Sequence, residues 1–235
     1  MSYKNSHTST LFHFTKQQNT LLSILQDGIK FSYCSEAIDN TLSLGIPMIS
    51  FCDIPLMSCG EHRSKYGLYA IGFSKNSFSN LPNNCEIGSV GYFSKNQKEL
   101  INILKDLVKR NNTAVGWSKQ YQMDRNGKNQ INYDECEWRI LALKDEKGDP
   151  VQWFWSEDDF LKWKDKRHDN FLESTTITFS ASDIRYIIVN QEKNIPNVVK
   201  RILKLKTIAG KIVNIEDKEI LCSRIISFEQ LKSDF

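Results

Sequence analysis

The chain has 235 residues, 40% hydrophobic and 25% charged, a composition that suits a packed globular fold and excludes a disordered one. The length allows one generous domain or two small ones. The net charge of +3 is too small to mark a nucleic-acid binder by itself. No apolar run approaches a membrane span, and the polar opening MSYKNSHTST holds no apolar signal core. A cytoplasmic protein is expected.

The first element is TLFHF, a short apolar run of strand character ending around His13. Thr15-Lys16-Gln17-Gln18 then fits a capping box, with Thr15 as N-cap. Leu21, Leu22, Leu25 and Ile29 follow at helical spacing, and Gly28 is the stop signal. IPMISFCDI and GLYAIGFS read as strands, the second with Tyr69, Ile71 and Phe73 alternating. Ser94-Lys95-Asn96-Gln97 fits a second capping box, opening a helix with Leu100, Ile103, Leu104 and Leu107 on one side.

In the second half CEWRILAL, STTITFSA and IRYIIVN are strands, and NVVKRILKL after Pro196 is a short helix. KIVNIED and ILCSRIIS show no settled period. Ser227-Phe228-Glu229-Gln230 caps a last turn. Strands outnumber helices and the helices are scattered among them, which predicts an α+β fold with a mainly antiparallel sheet flanked by helices. No Gly-, Ser- or Pro-rich linker divides the chain. One domain over 1–235 is expected, with the aromatic and charged stretch around 145–170 as an insertion packed on the same core.

The six cysteines form no C-x-x-C pair, and the four histidines lie far apart. Neither a metal site nor a disulfide framework is expected. Cys52 and Cys222 read as small buried hydrophobes, and Phe51 and Phe73 read as core. His13 stands at a strand end just before a helix. Such a histidine either satisfies a local hydrogen bond or meets a ribose hydroxyl or a phosphate. His7 and His168 sit in polar surroundings and read as solvated, and His62 lies in a loop-like stretch.

Glu135 and Glu137 are two apart, so on a strand they share one face. That face is either exposed, with Glu137 paired to Arg139, or a cleft in which a carboxylate steadies a cation developing on a sugar. Tyr66, beside Gly67 and among charges, has the position of a ring that stacks on a ligand.

The order of these features is more specific than any one of them. FHFT, ILQDGI, ISFCD, a helix-like segment reaching Tyr66 and a late strand bearing Glu137 resemble the His–Tyr–Glu branch of the ADP-ribosyltransferase superfamily. That branch includes diphtheria toxin, the poly(ADP-ribose) polymerases and, more distantly, DarT. The resemblance implies a split-sheet transferase fold with NAD as substrate and no metal. It implies that His13 and Thr15 of FHFT hold a ribose, and that Tyr66 with Ser50 or Phe51 clamps nicotinamide. Glu137 would be the catalytic carboxylate, with Glu135 directing transfer to an acceptor.

LFHFT, IPMISFCDIPL, EHRSKYGLYAIGFSK, YDECEWRIL, DIRYIIV and IISFEQLKSDF also resemble the AbiGi family of abortive-infection, phage-resistance proteins, which is classed among antitoxins. Two functions follow as expectations. One is an NAD-dependent mono-ADP-ribosyltransferase acting in phage defence on a protein, RNA or DNA acceptor. The other is a catalytically silent antitoxin or binding module of the same fold, with a toxin as partner. In the transferase reading, Lys119, Arg125 and Lys128 would meet the acceptor beside Trp117 and Tyr121. Interleaved cations and rings suit a single-stranded nucleic acid; the alternative for 117–134 is a solvated surface loop.

Overall fold

The structure is a computed structural model that describes residues 8–125, 128–145, 147–166 and 175–234. His7, His168, the pair Asn126-Gly127 and part of the expected insertion (146 and 167–170) lie outside the described residues.

In chain order the first elements are β1 (Thr10–Thr15), α1 (Gln18–Asp27), β2 (Ile29–Lys30), β3 (Ser32–Ala37), β4 (Ser43–Cys52), α2 (Cys59–Tyr66) and β5 (Tyr69–Ser74). Then come β6 (Cys85–Ser89), β7 (Gly91–Phe93), α3 (Lys98–Lys109), β8 (Ser118–Gln120), β9 (Gln122–Arg125), β10 (Lys128–Ile131) and β11 (Glu137–Ala142). The last part holds α4 (Glu157–Lys166), β12 (Thr176–Ile177), β13 (Ile184–Val189) and α5 (Ile195–Ile202). It closes with β14 (Thr207–Ile208), β15 (Lys211–Ile212), α6 (Ile215–Cys222), β16 (Ile225–Ser227) and α7 (Phe228–Asp234). The architecture is α+β, as expected.

The chain forms two compact units, one of residues 1–29, 51–80 and 176–235 and the other of residues 30–50 and 81–175. In the first unit β1 and β13 pair antiparallel with β5, and β16 adds in parallel to β13. Ala70, Ile71 and Phe73 of β5 are fully buried, so this strand is covered on both faces rather than one. Register sorts the side chains of β1. His13 lies opposite Ile71 and Leu11 opposite Phe73, while Phe12 and Phe14 lie opposite Gly72 and Ala70 on the other face.

Helix α1 buries Leu21, Leu22, Ile24 and Leu25 and stops at Gly28, whose φ of 94° is left-handed. A Cβ at Gly28 would stand 2.5 Å from Thr176 Cγ2. The expected N-cap is corrected: Thr15 ends β1, paired with Tyr69, and Gln17 caps the helix without a side-chain bond. The strand ladder holds Thr15 extended and the helix starts later. The closing capping box is present. Gln230 Oε1 accepts from the Ser227 N–H at 2.9 Å, and Ser227 Oγ accepts from the Gln230 N–H at 3.0 Å. The unsettled stretches resolve into α6 and β16.

In the second unit β4 pairs antiparallel with β3, β11 pairs antiparallel with β6, and β4 and β11 are neighbours. Helix α3 covers this sheet through Ile101, Leu104 and Val108, which pack with Ile46, Phe93 and Trp153. Of the predicted stripe, Leu104 is buried and Leu107 packs against the same core, whereas Leu100 and Ile103 are 36% and 58% exposed. Both stripes have helical spacing, and the sheet selects between them. Gln97 Oε1 accepts from the Ser94 N–H at 2.7 Å, so half of the predicted box forms, one turn ahead of the helix.

The aromatic insertion packs on the same core over its described residues. Trp153 is buried and donates from Nε1 to the Ala142 carbonyl at 3.2 Å, and Phe154 bridges Gly45. Tyr33 receives Trp163 edge-on at 4.6 Å between ring centres. All six cysteines are free thiols; Cys52 is buried as expected, whereas Cys222 is half-buried.

Candidate functional site

The second unit buries five charged side chains together. Arg139 is fully enclosed, and Glu36, Glu135 and Glu137 are 4%, 3% and 5% exposed. The Arg139 guanidinium donates from Nε to Glu137 Oε1 at 2.7 Å and from Nη1 to the Gly116 carbonyl at 2.7 Å. Its Nη2 donates to Glu36 Oε2 and, at 3.3 Å, to Glu137 Oε2. Lys119 Nζ lies 2.8 Å from Glu135 Oε2 and 2.6 Å from Glu137 Oε2.

Local structure explains the convergence. Tyr133–Glu135 form a single 3₁₀ turn, and Cys136 then adopts a left-handed φ of 42°. That residue redirects the chain into β11. Glu135 and Glu137 therefore do not share a strand face, as the spacing predicted; they reach the same ammonium from a turn and from a strand. Strand β8 runs parallel to β7 and sets Lys119 opposite Tyr92. The Tyr92 hydroxyl accepts from the Glu137 backbone N–H at 2.8 Å.

Burial opposes ionisation of Glu137, but the Arg139 and Lys119 charges outweigh it and hold the carboxyl at about 2. Burial likewise works against the Lys119 and Arg139 charges, and the facing carboxylates overcome it and hold both cations protonated. Glu36 differs. Burial raises its carboxyl despite Arg139, and the neighbouring Glu137 charge adds to the rise. Three carboxylates face two cations, and Glu36 pairs with Arg139 through Nη2.

The exposed-face reading of Glu137 and Arg139 is thus half right: the pair exists, but it is buried. Lys119, expected among the acceptor-binding cations, is 12% exposed and serves the network. The stretch 117–134 is not an irregular loop over its described part. Strands β9 and β10 pair antiparallel there, with Arg125 opposite Lys128. The roles of Glu36 and Tyr92 are absent from the sequence reading; the signal available was a glutamate inside the strand SYCSEA, whose partner lies 103 residues away.

In the first unit the residues assigned to NAD fall on two faces of β1. His13 is half-buried and packs edge-on against Phe51 at 5.7 Å between ring centres. Phe51 is 1% exposed and enclosed by Phe73 and Phe78, so its ring is a core ring. Tyr66 belongs with Phe14 at 6.2 Å and with His62, which is stacked on it at 6.1 Å. His62 is buried on α2 rather than in a loop. Since His13 and Phe14 alternate along β1, the His13 and Tyr66 rings occupy opposite faces of that strand. Thr15 is buried at the strand end. Ser50 is half-buried, in the second unit, with its Oγ 3.7 Å from the Met48 sulfur. Within this unit His13 and Tyr66 are not assembled on one face of β1.

Among the described residues no helix is long and apolar enough to cross a membrane. A family model described as "Putative abortive phage resistance protein AbiGi, antitoxin" matches residues 29–125. The chain is also 26% identical over 233 residues to an abortive phage resistance protein AbiGi of Lactococcus lactis subsp. cremoris, a match covering 81% of this chain and 89% of the relative. No solved structure matches it. Both sequence matches support a likeness to the AbiGi family of abortive phage resistance proteins.

Proposed function

We propose that this chain acts in abortive phage resistance as a binding protein of the antitoxin kind, without transferase chemistry. The observation that carries this reading is the state of Glu137. A carboxylate that steadies an oxocarbenium ion acts most strongly when its charge is aimed at the substrate. Here each Glu137 oxygen already meets a cation, Arg139 on Oε1 and Lys119 on Oε2. The separation of His13 from Tyr66 across β1 supports the same conclusion. The antitoxin description of the matching family favours a toxin as partner.

The test is nicotinamide release from NAD by the purified chain, with labelled transfer to a cell extract as a second readout. Neither should rise above a no-protein control. NAD turnover that vanishes in Glu137→Gln, with the variant still folded, would establish the transferase reading instead. The acceptor roles of Lys119, Arg125 and Lys128 belong to that reading: with them replaced by Ala, labelled transfer should weaken while NAD binding stays unchanged.

A further inference from the structure

The surface of the first unit between α5 and α6 concentrates charge. From Lys193 to Val213 the chain carries six cations and no carboxylate, against +3 for the whole protein. Lys200, Arg201, Lys204, Lys206 and Lys211 are all exposed, and among the described residues none forms an ion pair. A cluster of solvated lysines alone would be unremarked surface.

The second observation is apolar. Ile212 is 92% exposed, Ile215 63% and Leu203 45%. Ile212 and Ile215 are the two most exposed large hydrophobic residues among those described. Single exposed aliphatics are ordinary, but grouped ones mark interaction surfaces.

The platform beneath them is held firmly. The β14–β15 hairpin turns through Ala209 and Gly210, both at positive φ. Their N–H groups donate at 2.8 Å to the carbonyls of Leu25 and Gln26 at the end of α1. Ile208 and Ala209 are buried, and Lys218 Nζ donates to the Leu203 carbonyl at 3.2 Å, tying α6 to the loop after α5. Ile212 therefore projects from an anchored hairpin and is preorganised for contact, with little ordering cost on association.

Resting on the binding reading above, we infer that Leu203, Ile212 and Ile215, ringed by Lys200, Arg201, Lys204, Lys206 and Lys211, form the docking surface for an acidic protein partner that receives the aliphatic side chains. Charge complementarity sets the acidic character of the partner. An aliphatic centre with a charged rim is the usual layout of a protein interface. A nucleic acid fits less well. No aromatic ring lies between Lys193 and Val213 to stack on a base.

The test uses the full chain and defined probes. A helical peptide of glutamates with leucines at i, i+3, i+4 and i+7 spacing is titrated against the protein, beside the same peptide with serine for leucine. The leucine peptide should bind at least about tenfold tighter than the serine peptide. Ile212→Asp and the pair Arg201→Glu, Lys204→Glu should each weaken it about tenfold or more, with the circular dichroism unchanged because all three sites are exposed. Equal binding of the two peptides, indifference to Ile212→Asp, or tighter binding of oligo(dT) or of phosphatidylserine vesicles would each overturn the inference. The assay contains no NAD, so its outcome stands apart from that of the NAD test above.

Discussion

Replacing Arg139 by Met removes the centre of the buried network while keeping an unbranched side chain in its place. The substitution deletes the bonds to Glu36, Glu137 and the Gly116 carbonyl. It leaves Lys119 as the sole cation against three buried carboxylates. Breaking a buried pair by removing one partner typically costs about 3–5 kcal/mol, because a charge stays behind without compensation. Domains of this kind have about 5–15 kcal/mol in all, so Arg139→Met is expected to lose about a fifth of the total or more. Urea unfolding followed by tryptophan fluorescence measures it, with the slope checked for two-state behaviour.

Arg139→Lys is the control. It keeps the charge but loses the fork that serves two carboxylates and a carbonyl at once, and about 1–3 kcal/mol should go. Made in a Glu36→Gln background, Arg139→Met should cost less, with a coupling of about 1–3 kcal/mol. A loss below about 1 kcal/mol for Arg139→Met alone would refute the claim that this network supports the fold.

Glu137→Gln is expected to lower stability by about 3 kcal/mol, since the Arg139 Nε and Lys119 lose their shared carboxylate; an unchanged melting temperature would contradict the enclosure described for this residue. Gly67→Ala should be among the most damaging single changes, because its φ is +143° and a Cβ would stand 2.2 Å from the Thr15 carbonyl oxygen. Gly148→Ala, also at positive φ but with nothing within 4 Å, should cost only about 1 kcal/mol. Thermal melts of the two variants side by side separate the clash from the backbone strain.

Local signals account for much of the fold. β1, β5, β11 and β13 show as apolar runs, α1 and α3 as periodic stripes, and Ser227–Gln230 as a capping box. Each of these is decided by residues within one or two turns. What depended on distant partners was not legible. The choice between Leu100 and Ile101 as the inner edge of α3 rests on the sheet beneath it, not on spacing. α6 hides where two unsettled stretches meet, because its apolar residues do not form a continuous stripe. The motif order gave His13, Tyr66 and Glu137 a common meaning, but motif order carries no information about which face of β1 a ring takes. The ion network joins Glu36, Lys119 and Arg139 from three separated segments. Lys119 and Glu36 look like ordinary polar residues of short strands until the turn at Cys136 brings Glu135 and Glu137 to them.

The imbalance of that network sets a pH dependence whose sign can be worked out. Glu137 is depressed from its ordinary 4.5 to about 2. Its contribution to stability is complete above about 4.5 and is lost as pH falls from there towards 2. Glu36 is raised above its ordinary 4.5 by burial, against the pull of Arg139. The folded chain keeps that proton over a range in which the unfolded chain has released it. Its effect is therefore a loss of stability that begins as pH rises past 4.5 and is complete above the folded value. The two groups together place the best stability of the wild type on the acid side of neutrality. Glu36→Gln removes the second effect alone. Glutamine resembles the protonated acid in shape and offers a carbonyl oxygen to Arg139 Nη2, leaving two carboxylates against two cations. The variant should match the wild type in mild acid and exceed it in mild alkali, by a margin that grows with pH until Glu36 is fully ionised in the wild type. Melting curves taken between about pH 5 and pH 8 decide the matter: a variant that loses stability relative to the wild type as pH rises would mean that Glu36 is needed as a charge, and that the surplus carboxylate lies elsewhere in the cluster.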